Sequence, residues 1–527
     1  MSKLLFNIKY LFLIFSGVAM ICSSCRKELH QGPITSTYGS EFWVSQTSVE
    51  QATLAMYGQL RACLRNAPSY NLGEPSYFIF GDFVSGLFQP ASGDVFIPYG
   101  LKATNTIPWN FSYVPYGEAS LHNWSRFYQL IAQANLILKN VPEMPAAAFA
   151  SQQVRNSYIA EALFMRAYTY FYMIRVWGDP VYVNKTFDDI DYGNIPPLPR
   201  TDENVVLDSC LADLRTAAAY LDFSGGDPSK SLRANKGSDY ALMAHIFEWK
   251  KEYDSTHYYC QEVINKGGYS LEPMNSYTNI WKGTSSSESI FEISMQYSAN
   301  DPNFKDPNKQ DWSEATFDCF ATFVKGSIVD NQKSSCWISP EGGLLDQLLF
   351  DTANDARYKA VISKVPSTGG DPDGYMLLKY TNFNYQSPDT KGYAYFNNNL
   401  VLLRLSDIIL LDAEALAYKD DLEGARERLA LTEDRAGIST YEGITDAYTM
   451  IDEVVMERGR ELMGEGHWFY DLIRTEPTQN WLEYVGYPSQ RVTATARGYY
   501  WPLDMNTLFP YDNLLTQNPY WAANSGR

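Results

Sequence analysis

The sequence predicts a mostly α-helical protein, built from pairs of helices and interrupted by two long, irregular, loop-rich insertions. Long stretches carry apolar residues three or four positions apart, and short turn-rich links separate these stretches into pairs. Between them, residues 70–120 and 276–399 are rich in aromatic residues but lack a helical period. Loops of that length in a compact protein usually serve a function, so we expect a binding surface there.

The first helix pair follows from the pattern of residues 123–180. In NWSRFYQLIAQANLILKNVP the apolar residues recur every three or four positions, and Pro142 ends the run. The next run, RNSYIAEALFMRAYTYFYMIRVWGDP, is rich in alanine and large aromatic residues and closes at Gly178 and Pro180. Because the link PEMPAAA between them is short, we expect two antiparallel neighbours.

Helical patterns return along the rest of the chain. A second pair, NVVLDSCLADLRTAAAYL and NKGSDYALMAHIFEWKK, flanks the linker DFSGGDPSKSLR, and STHYYCQEVINKGG follows as a further helix. The late helical runs are LVLLRLSDIILLDAEALAYK, LEGARERLALTEDRAG and IDEVVMERGRELMGEGHWFYDLIR. Small residues alternate with large ones on successive helix pairs, which resembles tetratricopeptide packing. The predicted scaffold is therefore tetratricopeptide-like.

The N-terminus has the order of parts of a secretory signal peptide. Lys3 and Lys9 precede an apolar run, and LFLIFSGVAMICSSC ends at two serines and Cys25. The run is shorter than the roughly 20 apolar residues that span a bilayer, which disfavours a permanent transmembrane helix. Small residues directly before Cys25 resemble a bacterial lipobox, so we expect residues 1–24 to be removed and Cys25 to carry lipid. An ordinary secretory peptide is the alternative.

Charge and composition exclude several partners. The chain carries 61 acidic and 42 basic residues, a net charge of −19, which would repel a nucleic acid. Of the seven cysteines, Cys22 leaves with the leader and Cys25 is acylated, and the other five lack the paired spacing of a disulfide framework. The five histidines show no H-x-H or H-x-x-x-H spacing, and no P-loop or Rossmann glycine pattern occurs. The sequence therefore predicts no metal site and no cofactor.

Aromatic residues make up 15% of the chain, with 39 tyrosines and 12 tryptophans. Tyr and Trp combine an apolar face with a polar tip, which suits a sugar ring, although most of them should fill seams between helices. In the irregular regions they cannot all share one buried face, so we expect some to reach solvent. The candidate ligand-binding residues are Phe88, Phe96, Tyr99, Trp109 and Tyr113 in the first region, with Tyr116 nearby, and Trp312, Phe320 and Trp337 in the second, with Phe317 nearby.

Charged residues form two groups on the late helical runs. Arg404 and Asp407 lie three apart, which predicts an ion pair or a buried hydrogen bond. A second group is expected to hold the last helix against Asp471 and Arg474, and it comprises Glu457, Arg458, Arg460, Glu461 and Glu465. Coupled charges of this kind more often organise packing than chemistry, so we predict a structural role.

The chain resembles the SusD/RagB family over its whole length, through short motifs that occur in the family's order. The first motifs are SCRKEL at the lipid cysteine, EFWVSQTSVEQATLAMYGQLR as a first helix, and the spacing from Trp124 through Tyr128 to Asn135. The series continues with AEALFMRAYTYFYMIRVWGDP, KGGYSLEP, LLRLSDIILLDAEALA, RAGI, ERGRELMGEGHWFYDLIR and LLTQNPYW. The departures are mild, and one of them is His467, where the family usually has arginine.

This resemblance implies a surface lipoprotein that captures a nutrient, in this family mostly a glycan, above a SusC-like TonB-dependent transporter in the outer membrane. It implies a lipoprotein signal peptide at 1–24, an N-terminal SusD-like helical region at 25–275 and a C-terminal RagB/SusD region at 276–527. It also implies that the two irregular regions meet on the face turned to the transporter. Arg26 after the lipid cysteine agrees with sorting to the outer membrane.

Three alternatives stay open from the sequence. The ligand could be an oligopeptide instead of a glycan. A glycoside hydrolase would need two carboxylates roughly 5 to 10 Å apart, and although the chain has acids enough, they concentrate on amphipathic helices and no hydrolase motif such as G-x-S-x-G or H-E-x-x-H occurs. A scaffold that binds only proteins would use the same helices. We predict a noncatalytic binding protein with a nutrient ligand.

Overall fold

The computed structural model describes residues 41–65, 76–90, 111, 121–186, 197–284, 286–296, 320, 323, 338–340, 350–365, 374–385, 394–439, 442–475 and 478–524. Over these residues the chain is mostly helical, which confirms the predicted fold class, and its strands form separate two-stranded sheets. None of the described helices is long and apolar enough to cross a membrane.

The helices of the N-terminal half pack as successive neighbours. They are α1 (Gln46–Arg65), α2 (Ser76–Gly81), α3 (Ser125–Asn140), α4 (Gln152–Trp177), α5 (Glu203–Tyr220), α6 (Lys236–Trp249) and α7 (Tyr253–Lys266). Helix α3 packs on α4 and α5 packs on α6, so both predicted helix pairs are confirmed, and α4 also packs on α5 and α6 on α7. Local chemistry sets their ends, because the Ser151 side chain caps α4 and Asn235 forms a capping box with Ser238 at the start of α6.

The helices of the C-terminal half surround one buried helix. They are α8 (Ala356–Val361), α9 (Leu405–Tyr418), α10 (Leu422–Ala436), α11 (Ala447–Leu462), α12 (Trp468–Arg474), α13 (Thr478–Tyr484) and α14 (Pro519–Asn524). Helix α9 is buried from Leu405 to Ala417 and packs against α7, α10 and α11. A helix enclosed on all sides needs apolar residues all round, which explains its nearly continuous apolar run.

The strands pair antiparallel in four short ribbons. β1 (Phe88–Pro90) pairs with β3 (Ile338–Pro340), and β2 (Ser289–Ser294) pairs with β8 (Asn399–Arg404). β4 (Ile362–Val365) pairs with β5 (Gly374–Leu377), and β6 (Phe383–Tyr385) pairs with β7 (Ala394–Phe396). All of these strands except β8 lie wholly within the two regions that lack a helical period, and β8 begins where the second region ends.

The structure corrects the helix predicted from residue 400. Residues 399–404 form β8, and α9 begins only at Leu405. All six residues of β8 are buried, with Leu400 opposite Ile293 and Leu403 opposite Phe291. A short apolar run that is buried on both faces has no period of its own, so pairing with β2 decides its conformation.

A second correction concerns the run ERGRELMGEGHWFYDLIR, which was predicted to be helical throughout. Helix α11 ends at Leu462 and α12 begins at Trp468. Gly464 and Gly466 between them adopt φ values of 72° and 80°, which favour glycine. Their backbone N–H groups donate to the carboxylate of Asp82 at 3.2 and 2.7 Å, so a residue almost 400 positions away holds the turn.

Aromatic side chains fill the seams between helices, as predicted for most of them. Trp177, Trp281, Trp468 and Trp501 are among the largest fully buried side chains. The indole N–H of Trp177 donates to the carbonyl of Leu121 at 3.0 Å, and its ring meets Phe127 edge to face at 5.4 Å. Such edge-to-face ring pairs stabilise the seam beyond the effect of burying apolar area.

The C-terminal motif LLTQNPYW packs against the helical body. Trp521 is buried, and its indole N–H donates to the carbonyl of Tyr500 at 2.7 Å. The Asn518 amide donates to the carbonyl of Trp501 at 2.9 Å, and the guanidinium of Arg491 lies over the Trp521 ring at 4.9 Å. Tyr520 is only partly buried, so Trp521 is the anchor of the motif.

Truncation after Asn513 should therefore destabilise the protein. It removes the buried Trp521, and loss of a buried tryptophan side chain costs about 3 to 5 kcal/mol. The matched control is truncation after Asn524, which leaves the whole motif in place. Thermal unfolding followed by circular dichroism should show a melting temperature lowered by several degrees for the first variant only. An unchanged transition in both variants would contradict the anchoring role.

Candidate functional site

The two irregular regions come together through the pairing of β1 with β3. In this ribbon Phe88 lies opposite Pro340, and Pro90 lies opposite Ile338. Strand β1 ends directly before the segment 91–110, and β3 begins directly after Trp337. The pairing therefore brings the two aromatic-rich regions together at residues 88–90 and 338–340.

Beneath this ribbon lies a cluster of buried aromatic rings, which we call the aromatic base. Its members come from both irregular regions, and they are Phe78, Phe83, Phe88, Phe320, Phe323 and Tyr380. Phe78 meets Phe323 edge to face at 4.8 Å, and Phe320 stacks on Tyr380 at 4.4 Å. The Tyr380 hydroxyl donates to the carbonyl of Gly464 at 2.7 Å. The aromatic base is therefore fixed to the turn between α11 and α12.

The structure corrects the expected role of two candidate residues. Phe88 is only 3% exposed and Phe320 is fully buried, so both rings belong to the aromatic base and neither reaches solvent. Phe88 is covered because its strand has a partner, and Phe320 because Phe78 and Tyr380 enclose it. The other candidates lie outside the described residues: Phe96, Tyr99, Trp109, Tyr113, Tyr116, Trp312, Phe317 and Trp337.

Next to the aromatic base lies a buried network of charges centred on Arg404. The Arg404 guanidinium donates to Glu288 at 2.6 Å, to Glu461 at 2.6 Å and to Glu465 at 2.8 Å. The sequence pattern predicts that Arg404 pairs with Asp407, and this prediction is wrong. Arg404 is the last residue of β8 and Asp407 lies in α9, so the change of secondary structure between them breaks the helical spacing on which that prediction relied.

A second arginine reinforces this network. Arg357 donates to Asp355 at 2.8 Å and to Glu461 at 3.0 Å, and it also pairs with Glu457. Burial alone would raise the pKa of Glu461, but Arg435, Arg404 and Arg357 hold that pKa well below its ordinary value. The carboxylate therefore stays ionised and paired. A charge fixed in this way stabilises packing and is not available to transfer protons.

The charges on α11 and α12 form the predicted structural network. Arg458 donates to Asp471 at 2.8 Å and to Asp407 at 2.8 Å, which ties α11 to α12 and to α9. Arg474 donates to Asp471 at 2.9 Å and pairs with Glu414. The predicted contact with Asp471 is confirmed for Arg458, whereas Glu457 and Glu461 pair with Arg357, and Glu465 pairs with Arg404.

One cluster has side chains that metal ions prefer. His245, Asp407 and His467 place their ligand atoms within 4.8 Å of one another, although they are far apart in the sequence. Asp407 already accepts hydrogen bonds from His245 at 2.7 Å and from Arg458 at 2.8 Å. Since the guanidinium supplies the positive charge that a metal would bring, we interpret the cluster as packing. Burial lowers the pKa of His467 to about 4, so its ring is neutral at neutral pH.

Packed helix pairs, with the two irregular regions joined by β1 and β3 next to the aromatic base, define a tetratricopeptide-like protein. A sequence profile described as the SusD family matches residues 363–521, and one described as "Starch-binding associating with outer membrane" matches residues 102–248. The chain belongs to the SusD/RagB family.

Individual relatives match nearly the full length of the chain. A SusD-like protein of Formosa agariphila is 25% identical over 499 residues, which cover 89% of each chain. The crystal structure of a SusD homolog from Bacteroides thetaiotaomicron is 26% identical, with a TM-score of 0.69 over 90% of this chain and 98% of the other. A structure described as a laminarin binding SusD-like protein has a TM-score of 0.68 at 21% identity, over 90% of this chain and 99% of the other.

Replacing Arg404 by methionine should strongly destabilise the fold. The variant leaves Glu288, Glu461 and Glu465 buried with less opposing charge, and breaking a buried pair in this way costs about 3 to 5 kcal/mol. Urea unfolding at neutral pH would measure the difference in the free energy of unfolding. The matched control is Arg215→Met on the exposed face of α5, where we expect a change within about 0.5 kcal/mol. Equal effects of the two substitutions would contradict the central place of Arg404.

Proposed function

We propose that this protein is a noncatalytic cell-surface lipoprotein that captures a glycan and delivers it to a partner SusC-like TonB-dependent transporter in the outer membrane. The observation that carries the proposal is the pairing of β1 with β3 above the aromatic base. This pairing gives two aromatic-rich loop regions one rigid support, and rigid support for loops is a common way to build a binding surface.

A glycan ligand agrees with the chemistry of the loops and with the names of relatives. The segments around Trp109 and Trp312 are rich in Tyr, Trp and Phe, whose rings can stack on the C–H face of a sugar. One matching profile is described as starch-binding, and one similar structure is described as laminarin binding. Both descriptions name a polysaccharide of glucose, so those two compounds are the natural first probes.

The closest approach to a hydrolase-like carboxylate pair that we identify in the described structure is Glu248 with Glu414. Burial, together with the neighbouring Glu414 charge, raises the pKa of Glu248 well above its ordinary value, as expected for carboxyl groups that share one site. However, both side chains are only 1% exposed and both lie against Arg474. A glycosidic bond cannot reach them, which supports binding without catalysis.

The N-terminal sequence supplies the proposed attachment to the membrane. Lipid on Cys25 would anchor the protein, and the residues from 26 to 40 would separate the anchor from the first described residue. This attachment would keep a soluble helical body at the membrane surface and leave the loop regions free to meet both ligand and transporter.

Substitution of the loop tryptophans should weaken glycan binding. We expect Trp109→Ala and Trp312→Ala each to lower affinity by roughly fivefold or more, because a stacked ring contributes about 1 to 2 kcal/mol. Isothermal titration calorimetry with soluble starch and laminarin would identify the bound glycan and then compare the variants. Circular dichroism should first show that both variants fold.

The matched control for this experiment is Tyr258→Ala, which removes a ring that is 56% exposed on α7, away from both irregular regions. Its affinity should equal that of the wild type. Unchanged affinity in both tryptophan variants would place the stacking surface elsewhere. Binding of a tryptic peptide mixture instead of either glycan would favour the oligopeptide alternative.

A separate prediction follows from the proposed lipid anchor on Cys25. Cys25→Ala should release the protein from the membrane fraction, because the acylated residue is lost. Cys22→Ala is the matched control, and it should stay membrane-bound because that residue leaves with the signal peptide. Immunoblots of membrane and soluble fractions would measure the distribution. A Cys25→Ala protein that stays in the membrane fraction at the wild-type level would refute the anchor.

A further inference from the structure

A cleft of about 620 Å³ opens on the scaffold, and none of the described residues that line it belongs to either irregular region. We call it the Tyr448 cleft. Its described walls come from the first turn of α5, the end of α6, the start of α11, the end of α12, the second half of α13 and the segment 492–500. Ligand pockets in proteins commonly range from about 300 to 1,000 Å³, so the cleft has room for a short oligosaccharide.

Three aromatic rings on these walls keep part of their surface open to solvent. Tyr448 is 50% exposed, and Trp249 and Tyr499 are partly buried. Tyr499 is held edge to face against Tyr500 at 4.7 Å, and Trp249 against Phe171 at 6.3 Å. The rings that flank the cleft are therefore positioned by the core while they keep a free face, which is the arrangement that stacking requires.

Among the charged side chains on the described walls, the ammonium of Lys251 is available to pair with a ligand. Glu203 is engaged by Arg497 and by the hydroxyl of Tyr500 at 3.0 Å. Arg474 is engaged by Asp471 at 2.9 Å and by Glu414. Lys251 is exposed, and it takes part in none of the ion pairs among the described residues. An exposed ammonium beside open aromatic rings can pair locally with the carboxylate of an anionic ligand, although the net charge of −19 opposes anions at long range.

The backbone near the cleft is held in an uncommon conformation. Lys251, which lines the cleft, has φ of 61°, and Arg497, which binds Glu203 on its wall, has φ of 50°. These are two of the three described residues other than glycine with positive φ. Glycine is usual at such positions, and residues that keep a side chain there tend to cluster at functional sites.

We propose that the Tyr448 cleft is a second ligand site, and that it binds a short acidic oligosaccharide. Its open rings stack on the sugar, and the Lys251 ammonium pairs with the carboxylate of a uronic acid unit. Apolar side chains such as Ile473 and Leu482 form the floor. The site is separate from the surface proposed for the two irregular regions, the loop-borne surface, because none of the described residues on its walls comes from 70–120 or 276–399.

Calorimetry with trigalacturonate as the probe and maltotriose as its neutral counterpart tests this site. The wild type should bind trigalacturonate with one site per chain, maltotriose should compete for that site at least fivefold more weakly, and added salt should reduce this preference. Tyr448→Ala should weaken binding of trigalacturonate by roughly fivefold or more, because it removes one stacking ring.

Lys251→Gly isolates the charge, since glycine accepts the positive φ at this position without strain. This variant should lose the preference for the acidic trisaccharide, whereas Lys251→Arg should keep it. Tyr258→Ala should bind as the wild type does. The proposal fails if trigalacturonate gives no binding heat, if maltotriose competes with it equally well, or if both Tyr448→Ala and Lys251→Gly leave its affinity unchanged.

The variants Trp109→Ala and Trp312→Ala separate this site from the loop-borne surface. Trigalacturonate should bind both of them as it binds the wild type. Weakened binding of trigalacturonate in these variants would mean that the acidic sugar binds the loop-borne surface. That result would contradict the cleft as its site and would support the loop-borne surface as a binding site. If the tryptophan variants leave glycan affinity unchanged and the cleft variants leave trigalacturonate affinity unchanged, both proposals are wrong. Because each set of variants tests only one surface, the two proposals can fail separately.

Discussion

Arg404 lies fully buried where β8 passes into α9, and three carboxylates from distant segments converge on its guanidinium. Glu288 precedes β2, Glu461 belongs to α11, and Glu465 lies in the turn that follows α11. A buried charge without a partner is strongly unfavourable, so each of these segments has little freedom to move away from the arginine. The position of the C-terminal helices depends on this one group of ion pairs.

The same network fixes the turn between α11 and α12, and that turn supports the loop-borne surface. Lys379 donates to Glu465 at 2.6 Å from the second irregular region, and the hydroxyl of Tyr77 donates to the carbonyl of Glu465 at 2.7 Å from the first. Asp82 accepts both glycine N–H groups of the turn. Charge pairs in the core therefore determine where the aromatic base lies.

This arrangement separates stability from recognition. The residues that define the family motifs are largely buried in ion pairs and helix seams, where a change of one partner is costly. Loops on such a scaffold can change length and composition without disturbing those contacts, because loop insertions cost little free energy. A fixed scaffold with variable loops suits a family whose members bind different ligands.

The sequence by itself determined the helix pairs and the structural role of the late charges. Each of these depends on residues a few positions apart or on the burial of a large apolar side chain. It also located the aromatic-rich regions, and the structure brings them together.

Only the tertiary structure decided the partners of Arg404, the strand at 399–404, the burial of Phe88 and Phe320, and the Tyr448 cleft. Arg404 finds Glu288 across more than 100 residues, and β8 takes its conformation from an equally distant strand. The cleft combines residues from 203 to 500. Local periodicity carries no information about such contacts, because they form only when the chain has packed.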